Sequence, residues 1–435
     1  MKLKKYIVMA CSLILVVSGL FTCTNRTESE DDYTAYETYD MPTYIPIPTP
    51  TEPALPAFEL PEPPPADPKY ITIRDEQFST ALTELELHGR LLTDEDIVPL
   101  RYMVNLETLR LDMNRISDIT PLAGLTNLTF LALHANRISN VTPLAGLTNL
   151  ESLILLANDI SDIAPLAGLS NLRILNLNGN PISDIAPLAG LTNLTFLVLL
   201  ANDINDITPL ASMTSLTQLG WTKDGMSDVT VFAELTNLTH LWLAGNDIND
   251  ITPLAGLTNL TSLFLQNSRV DDLKPLAGLT NLDSLMLSMN RISDISPLSG
   301  LTNLTFLDLT RNQVSDIASL TYLENLTHLY LSHNQISDIT PLAGLGNLED
   351  LFLENNRISD ITPLARVINL IDLLNLEHDE ISDLVQQVGF ANLTQIGLRG
   401  NPITDWWPVD HVELVSGRPA LSQETAHEYF SSRFD

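Results

Sequence analysis

Residues able to do chemistry are few in this chain and widely scattered. Its two cysteines, Cys11 and Cys23, both lie near the N-terminus, so nothing downstream can form a disulfide or a thiolate metal site. His134, His240, His328 and His333 fall at outward places of a recurring pattern, and only the last two share one unit of it. A metal cluster needs several ligands within coordination reach, so these read as interface histidines. A column of aspartates, among them Asp162, Asp184, Asp206, Asp250, Asp294 and Asp338, invites a calcium reading. The spacing lacks a calcium-loop pattern, and capping of a short turn accounts for every copy. No nucleophile elbow, phosphate-binding loop or HExxH helix is present. The expectation is a non-enzyme without cofactor or metal, whose remaining chemistry is recognition by aromatic side chains.

The elements that would position those side chains come from a sentence of 22 residues, repeated as LTNLTFLALHANRISNVTPLAG (125–146), LTNLESLILLANDISDIAPLAG (147–168) and onward. A fixed period in this range marks a solenoid of stacked units. Counting from the first Leu of a unit, positions 7 and 9 alternate as a strand does and point to one side. Positions 6, 8 and 10 then point to the other. One short strand per unit, stacked in register, makes a continuous parallel sheet of about 15 strands at roughly 4.8 Å spacing. Position 12 is Asn in most units but Asp224 and Ser268 in two, where the structure should be locally weaker or bent. Positions 16 to 20, as Asp118-Ile119-Thr120-Pro121-Leu122, suit a single 3-10-like turn with Asp as N-cap and Pro in its first turn.

The organisation that follows has five parts. Residues 1–22 form an export signal: basic Met1–Lys5, apolar Tyr6–Leu20, then a polar stretch. Residues 23–68 are a disordered acidic and Pro-rich tether. Residues 69–102 hold an N-terminal cap and a first imperfect repeat, since a terminal unit lacks a neighbour on one face. Residues 103–409 carry the regular repeats, including a unit at 367–389 stretched by one residue. Residues 410–435 form a C-terminal cap. Net charge is −32, which argues against nucleic acid and against direct docking on anionic lipid.

The L-x-x-L-x-L-x-x-N-x-I wording resembles that of leucine-rich repeats. The 22-residue form with Pro-Leu-Ala-Gly on the return side is similar to the internalin-type repeats of bacterial surface proteins. The resemblance implies a leucine-rich-repeat solenoid, a right-handed β/3-10 superhelix of the α/β class. Its curved parallel sheet would line the concave face, with short 3-10 turns on the convex face. It also implies a protein or glycan ligand gripped on the concave sheet. Leu20-Phe21-Thr22-Cys23 resembles the lipobox of bacterial lipoproteins, which makes Cys23 the expected lipidated residue and membrane anchor. A secreted protein and an uncleaved anchor are the alternatives. No immunoglobulin-like domain or LPxTG motif follows the repeats, leaving Cys23 as the anchor candidate.

Comparing the units with one another locates the expected site. Framework positions barely vary, whereas positions 6, 8 and 10 vary freely and so are not dictated by the fold. Position 8 supplies Trp242, Phe264, Met286, Tyr330 and Phe352, and position 6 supplies Phe130, Phe196, Phe306, His240 and His328. Contiguous exposed aromatics mark interaction sites. The expectation is a monomeric cell-surface binding protein, extracytoplasmic and lipid-anchored. Its ligand would sit on another cell, a host surface or the same envelope. The alternative is a structural or adhesive spacer without a specific ligand.

Overall fold

The computed structural model describes residues 68–222, 226–364 and 395–403, with the backbone of 414–416. The leader, the tether, Cys23, Asp224, the unit at 367–389 and most of the C-terminal cap lie outside the described residues.

The described chain opens with an antiparallel pair, β1 (Tyr70–Ile73) and β2 (Glu76–Ser79), which buries Ile71 and Ile73. A short helix, α1 (Asp94–Ile97), follows the first repeat strand, β3 (Glu84–Glu86). Arg74 joins the two parts, donating to the Leu91 carbonyl at 2.7 Å and pairing with Asp96 at 3.2 Å. From β3 a single parallel sheet of 15 strands runs in chain order to β17 (Leu414–Ser416). Every unit between 103 and 364 contributes one three-residue strand, from β4 (Thr108–Arg110) to β15 (Asp350–Phe352). The in-register pairing is unbroken, as in Leu263 opposite Leu285 and Leu285 opposite Leu307.

The sheet holds 15 strands, as the repeat count implies. At its end Asp350 pairs with Gln395 of β16 (Gln395–Gly397), and β16 pairs in turn with β17.

Leucines and isoleucines at positions 1, 4, 7, 9, 14, 17 and 20 converge inside the coil. In one unit these are Leu125, Leu128, Leu131, Leu133, Ile138, Val141 and Leu144, all buried. Each unit closes with a 3-10 turn, such as Thr120–Leu122 or Thr252–Gly256. The aspartate column works one residue earlier than an N-cap. Asp118 accepts the Thr120 amide at 2.8 Å, while Ile119 occupies the N-cap place. This is an Asx turn feeding the helical turn, and the carboxylate accepts from the backbone.

Three side-chain ladders fasten unit to unit. At position 12, Asn312 donates to the carbonyls of Leu287 and Leu309 at 2.9 and 3.0 Å and accepts the Ile292 amide at 3.0 Å. At position 3, Asn259 donates to the Thr236 carbonyl of the preceding unit at 2.9 Å. At position 5, Thr261 donates its hydroxyl to the Thr239 carbonyl at 3.0 Å. The last two explain the recurring Asn-Leu-Thr triplets as framework, because both polar side chains are spent on backbone carbonyls.

The position-12 ladder lapses at Ser268, whose buried hydroxyl has no partner. A surface hollow of about 480 Å³ opens there, lined by Gly245, Asn246, Asn267, Arg269, Met289 and Asn290 among others. Restoring the repeat residue with Ser268→Asn should fill this gap with the missing amide bonds and raise stability by about 1 kcal/mol. Urea melts measure it, and a lowered midpoint would show that the hollow rejects the longer side chain.

Position 11 has a further requirement. Met113, Ala135, Ala157, Ala201, Asn267, Met289, Arg311, His333 and Asn355 all have φ between 51° and 58°, and Gly179 and Gly245 occupy the same place. The left-handed turn lets the backbone leave the sheet, and its amide bonds the next unit, as Met113 does to His134 at 2.8 Å. Most of these residue types adopt that conformation only against a local cost of order 1 kcal/mol. The stacked bonds on either side hold it.

Candidate ligand-binding face

The residues singled out on the sheet face form two rows in register. Position 8 runs Trp242, Phe264, Met286, Asp308, Tyr330, Phe352 across six successive strands, and position 6 runs His240, Ser262, Ser284, Phe306, His328, Asp350. The core leucines between them point to the opposite side and are buried. The face residues of these strands are half-buried and available from solvent.

Within the rows the aromatics gather into two clusters. The first joins Trp242 to Phe264, edge to face at 6.3 Å between centroids, and to His240 at 5.8 Å. Met286 follows in register, its sulfur accepting from the Gln266 amide at 2.9 Å. The second cluster stacks Tyr330 on Phe352 at 5.1 Å and sets Phe306 5.2 Å from Tyr330 and 5.8 Å from His328. Such pairs hold one another rigid as well as presenting apolar area.

Neighbouring polar groups tune both clusters. Thr239 and Thr327 donate their hydroxyls to backbone carbonyls and also lie within hydrogen-bond distance of the adjacent histidine Nδ1, at 2.9 Å for His240 and 2.8 Å for His328. For His240, burial disfavours the charged form and lowers its pKa. His328 Nε2 lies 3.5 Å from Asp350. Asp308 lies between Met286 and Tyr330, and burial raises its carboxyl pKa although Thr310 and Ser288 donate to it.

Four residues depart from the expected picture. Phe130 and Phe196 occupy the sheet face, yet are 7% and 2% exposed and present little surface. Strand position selects a face; it does not decide whether the face is open. His134 is likewise buried rather than outward, 3.4 Å from Asp112, which Arg110 also holds at 3.1 Å. Desolvation is the largest influence on that imidazole and lowers its pKa. His333 is a left-handed turn residue beyond the strand, contacting Asn355 at 3.2 Å.

Sequence reasoning also missed contributors. Gly220 sits beside Trp242 in register, and a Cβ there would come within 3.3 Å of the indole and of Val198. The glycine gives the ring its seat. Its signal was a gap in the position-8 column next to the largest side chain. Asp308 and Asp350 lie within the second cluster's rows, where column reading registered only the aromatics. Among the described residues no group of three or more His, Cys, Asp or Glu could hold a metal ion, and no helix is long and apolar enough to cross a membrane.

A stacked parallel sheet, one 3-10 turn per unit and an asparagine ladder define a leucine-rich-repeat solenoid. The family model for leucine-rich repeats in two copies matches residues 104–146, 148–190, 170–212, 236–278, 280–322 and 324–366, and the chain belongs to that family. Within it the chain is internalin-like. An internalin from Listeria monocytogenes is 37% identical, with 67% of this chain and 88% of that one covered and a TM-score of 0.63. A leucine-rich-repeat protein of Leptospira interrogans is 24% identical over 77% of this chain and 90% of that one, with a TM-score of 0.64. A plant peptide hormone receptor, RGFR1 in complex with RGF2, is 21% identical over 75% and 60%, with a TM-score of 0.53. These last two likenesses are of fold alone. No curated protein sequence matches the chain.

Proposed function

We propose that this protein is a non-enzymatic binding module of the bacterial cell surface that holds a protein or glycan ligand on its sheet face. The observation that carries the reading is the pair of contiguous aromatic clusters on β10 (His240–Trp242), β11 (Ser262–Phe264) and β13 (Phe306–Asp308) to β15. Stacking dictates the leucines on the other side and leaves these positions free, so rings gathered there answer to something outside the fold. The repeat family is typically a scaffold for interactions rather than catalysis. The neighbour caught with RGF2 is a receptor on the same architecture.

Retrieval from candidate surfaces tests the reading. The purified full chain, presented to mucin, polysaccharide and neighbouring bacteria, should capture a ligand that the Trp242→Ala, Tyr330→Ala double variant does not. Capture at full strength by the double variant would move the site off this face.

Anchoring is a separate part of the proposal. The leader ends at Cys23, and the tether behind it spans far enough to lift the repeats from a membrane. Mass spectrometry of the membrane fraction should find a di- or triacylated Cys23. Cys23→Ser should release the protein, because stable anchoring needs two chains or more. Recovery of wild type mainly in the medium, beginning at another residue, would refute it.

A further inference from the structure

The rings do not stand alone on this face. The strand segments 239–244, 261–266, 283–288, 305–310, 327–332 and 349–354 contain no lysine or arginine, and they contain Asp283, Asp308, Glu349, Asp350 and Glu354. Four arginines of the same units, Arg269, Arg291, Arg311 and Arg357, stand at positions 11 and 13, past the strand ends on one rim. Arg269 is paired there with Asp247 at 3.1 Å. Charge is therefore sorted by position, with carboxylates in the middle among aromatics and cations at the edge.

We infer that the occupant of this face is a basic protein segment, whose arginine or lysine side chains lie across Tyr330 and Phe352 and end at Asp308 and Asp350. This rests on the reading of the sheet face as a binding surface and adds the chemistry of the partner. Aromatic faces attract guanidinium and ammonium groups, most strongly where water is excluded. The stacked Tyr330–Phe352 pair offers such faces; Asp308 lies beside Tyr330 on the neighbouring strand, and Asp350 shares a strand with Phe352. Burial already disfavours the ionised Asp308, so an arriving cation restores what solvent no longer supplies. Guanidinium meets carboxylate in bidentate geometry and stacks on rings with the same group, which favours arginine. An acidic partner would set like charges against these carboxylates, a cost that a basic one avoids. From β10 to β14 (His328–Tyr330) the face spans four strand spacings, about 19 Å. That is room for two anchors of one polypeptide.

The test uses the full chain and three probes: hexa-arginine, hexa-glutamate and the neutral oligosaccharide chitohexaose. Net charge alone would favour hexa-arginine, so the variants decide. Asp308→Asn with Asp350→Asn should weaken hexa-arginine binding at least tenfold, and Tyr330→Ala should do the same. Glu324→Gln, exposed and off the face, should leave binding within twofold. Asparagine at 308 keeps the oxygen that accepts the Thr310 amide, so the variant retains its local fold, and circular dichroism checks this. Equal losses from Glu324→Gln and from the double variant would overturn the inference. So would tighter binding of hexa-glutamate or chitohexaose than of hexa-arginine. A captured ligand that needs Trp242 and Tyr330 but tolerates both asparagines would sustain the binding face and overturn the basic partner. A ligand indifferent to the aromatics as well would overturn both.

Discussion

Trp242→Ala is expected to weaken a captured ligand at least about 30-fold, the equivalent of 2 kcal/mol lost at an interface hot spot. The indole lies at the junction of Gly220, Phe264 and His240, half-buried and therefore already ordered before any partner arrives. Binding an ordered ring avoids the entropy of immobilising it, which is why such anchors dominate interfaces. The folded state loses less. An aromatic pair is worth about 1 kcal/mol, spread over a long array, so the thermal midpoint should shift by only a few degrees. Titration calorimetry and a thermal melt on the same preparation separate the two effects. Thr258→Ala, exposed away from the sheet face, should change neither.

Leu285→Ala should do the opposite: little to the face and much to the fold. Leu285 is 0% exposed and packs between Leu263 and Leu307 of the flanking strands. Truncating a buried leucine costs roughly 2–5 kcal/mol, the transfer loss plus the cavity that remains. Thr258→Ala should stay within about 0.5 kcal/mol. Urea denaturation followed by circular dichroism compares them. Equal losses at 285 and 258 would contradict the inward facing of position 7. Because units couple mainly to neighbours, the Leu285 variant should broaden the transition as well as shift it.

Much of the architecture was legible because a 22-residue period states the same physical demand many times. The strand at positions 6 to 8, the buried leucines and the Asn312-type ladder all follow from one unit read twice. The lapse at Ser268 was legible for the same reason, as a missing letter in a regular word. What escaped was tertiary. Nothing in Met113, Arg311 or His333 prefers a left-handed backbone, and only the bonds of adjacent units impose it. The aspartate column pointed to the right turn at the wrong place, since an Asx turn and an N-cap use the same residue type one position apart.

The candidate site was legible in part. Register brought Trp242 to Phe264 and Tyr330 to Phe352 as outward alternation implies, and drew Phe306 and both face histidines into the same clusters. Reading columns separately hid what rows combine, namely carboxylates beside rings and a glycine under an indole. Phe130, Phe196 and His134 share the outward side yet lie buried. Alternation assigns a side of the sheet, and solvent access is a property of everything else around it.

The ladders have a hereditary meaning. Each amide of Asn259 or Asn312 reaches no further than its own unit or the one before. A duplicated or deleted stretch of coding sequence, provided it is a whole unit, therefore meets an interface that already exists. Every unit gained extends the sheet by about 4.8 Å and adds an unassigned set of outward side chains. Length and ligand can drift independently in such a chain, one by copying and the other by point substitution. A lineage can lengthen its grip without relearning how to fold.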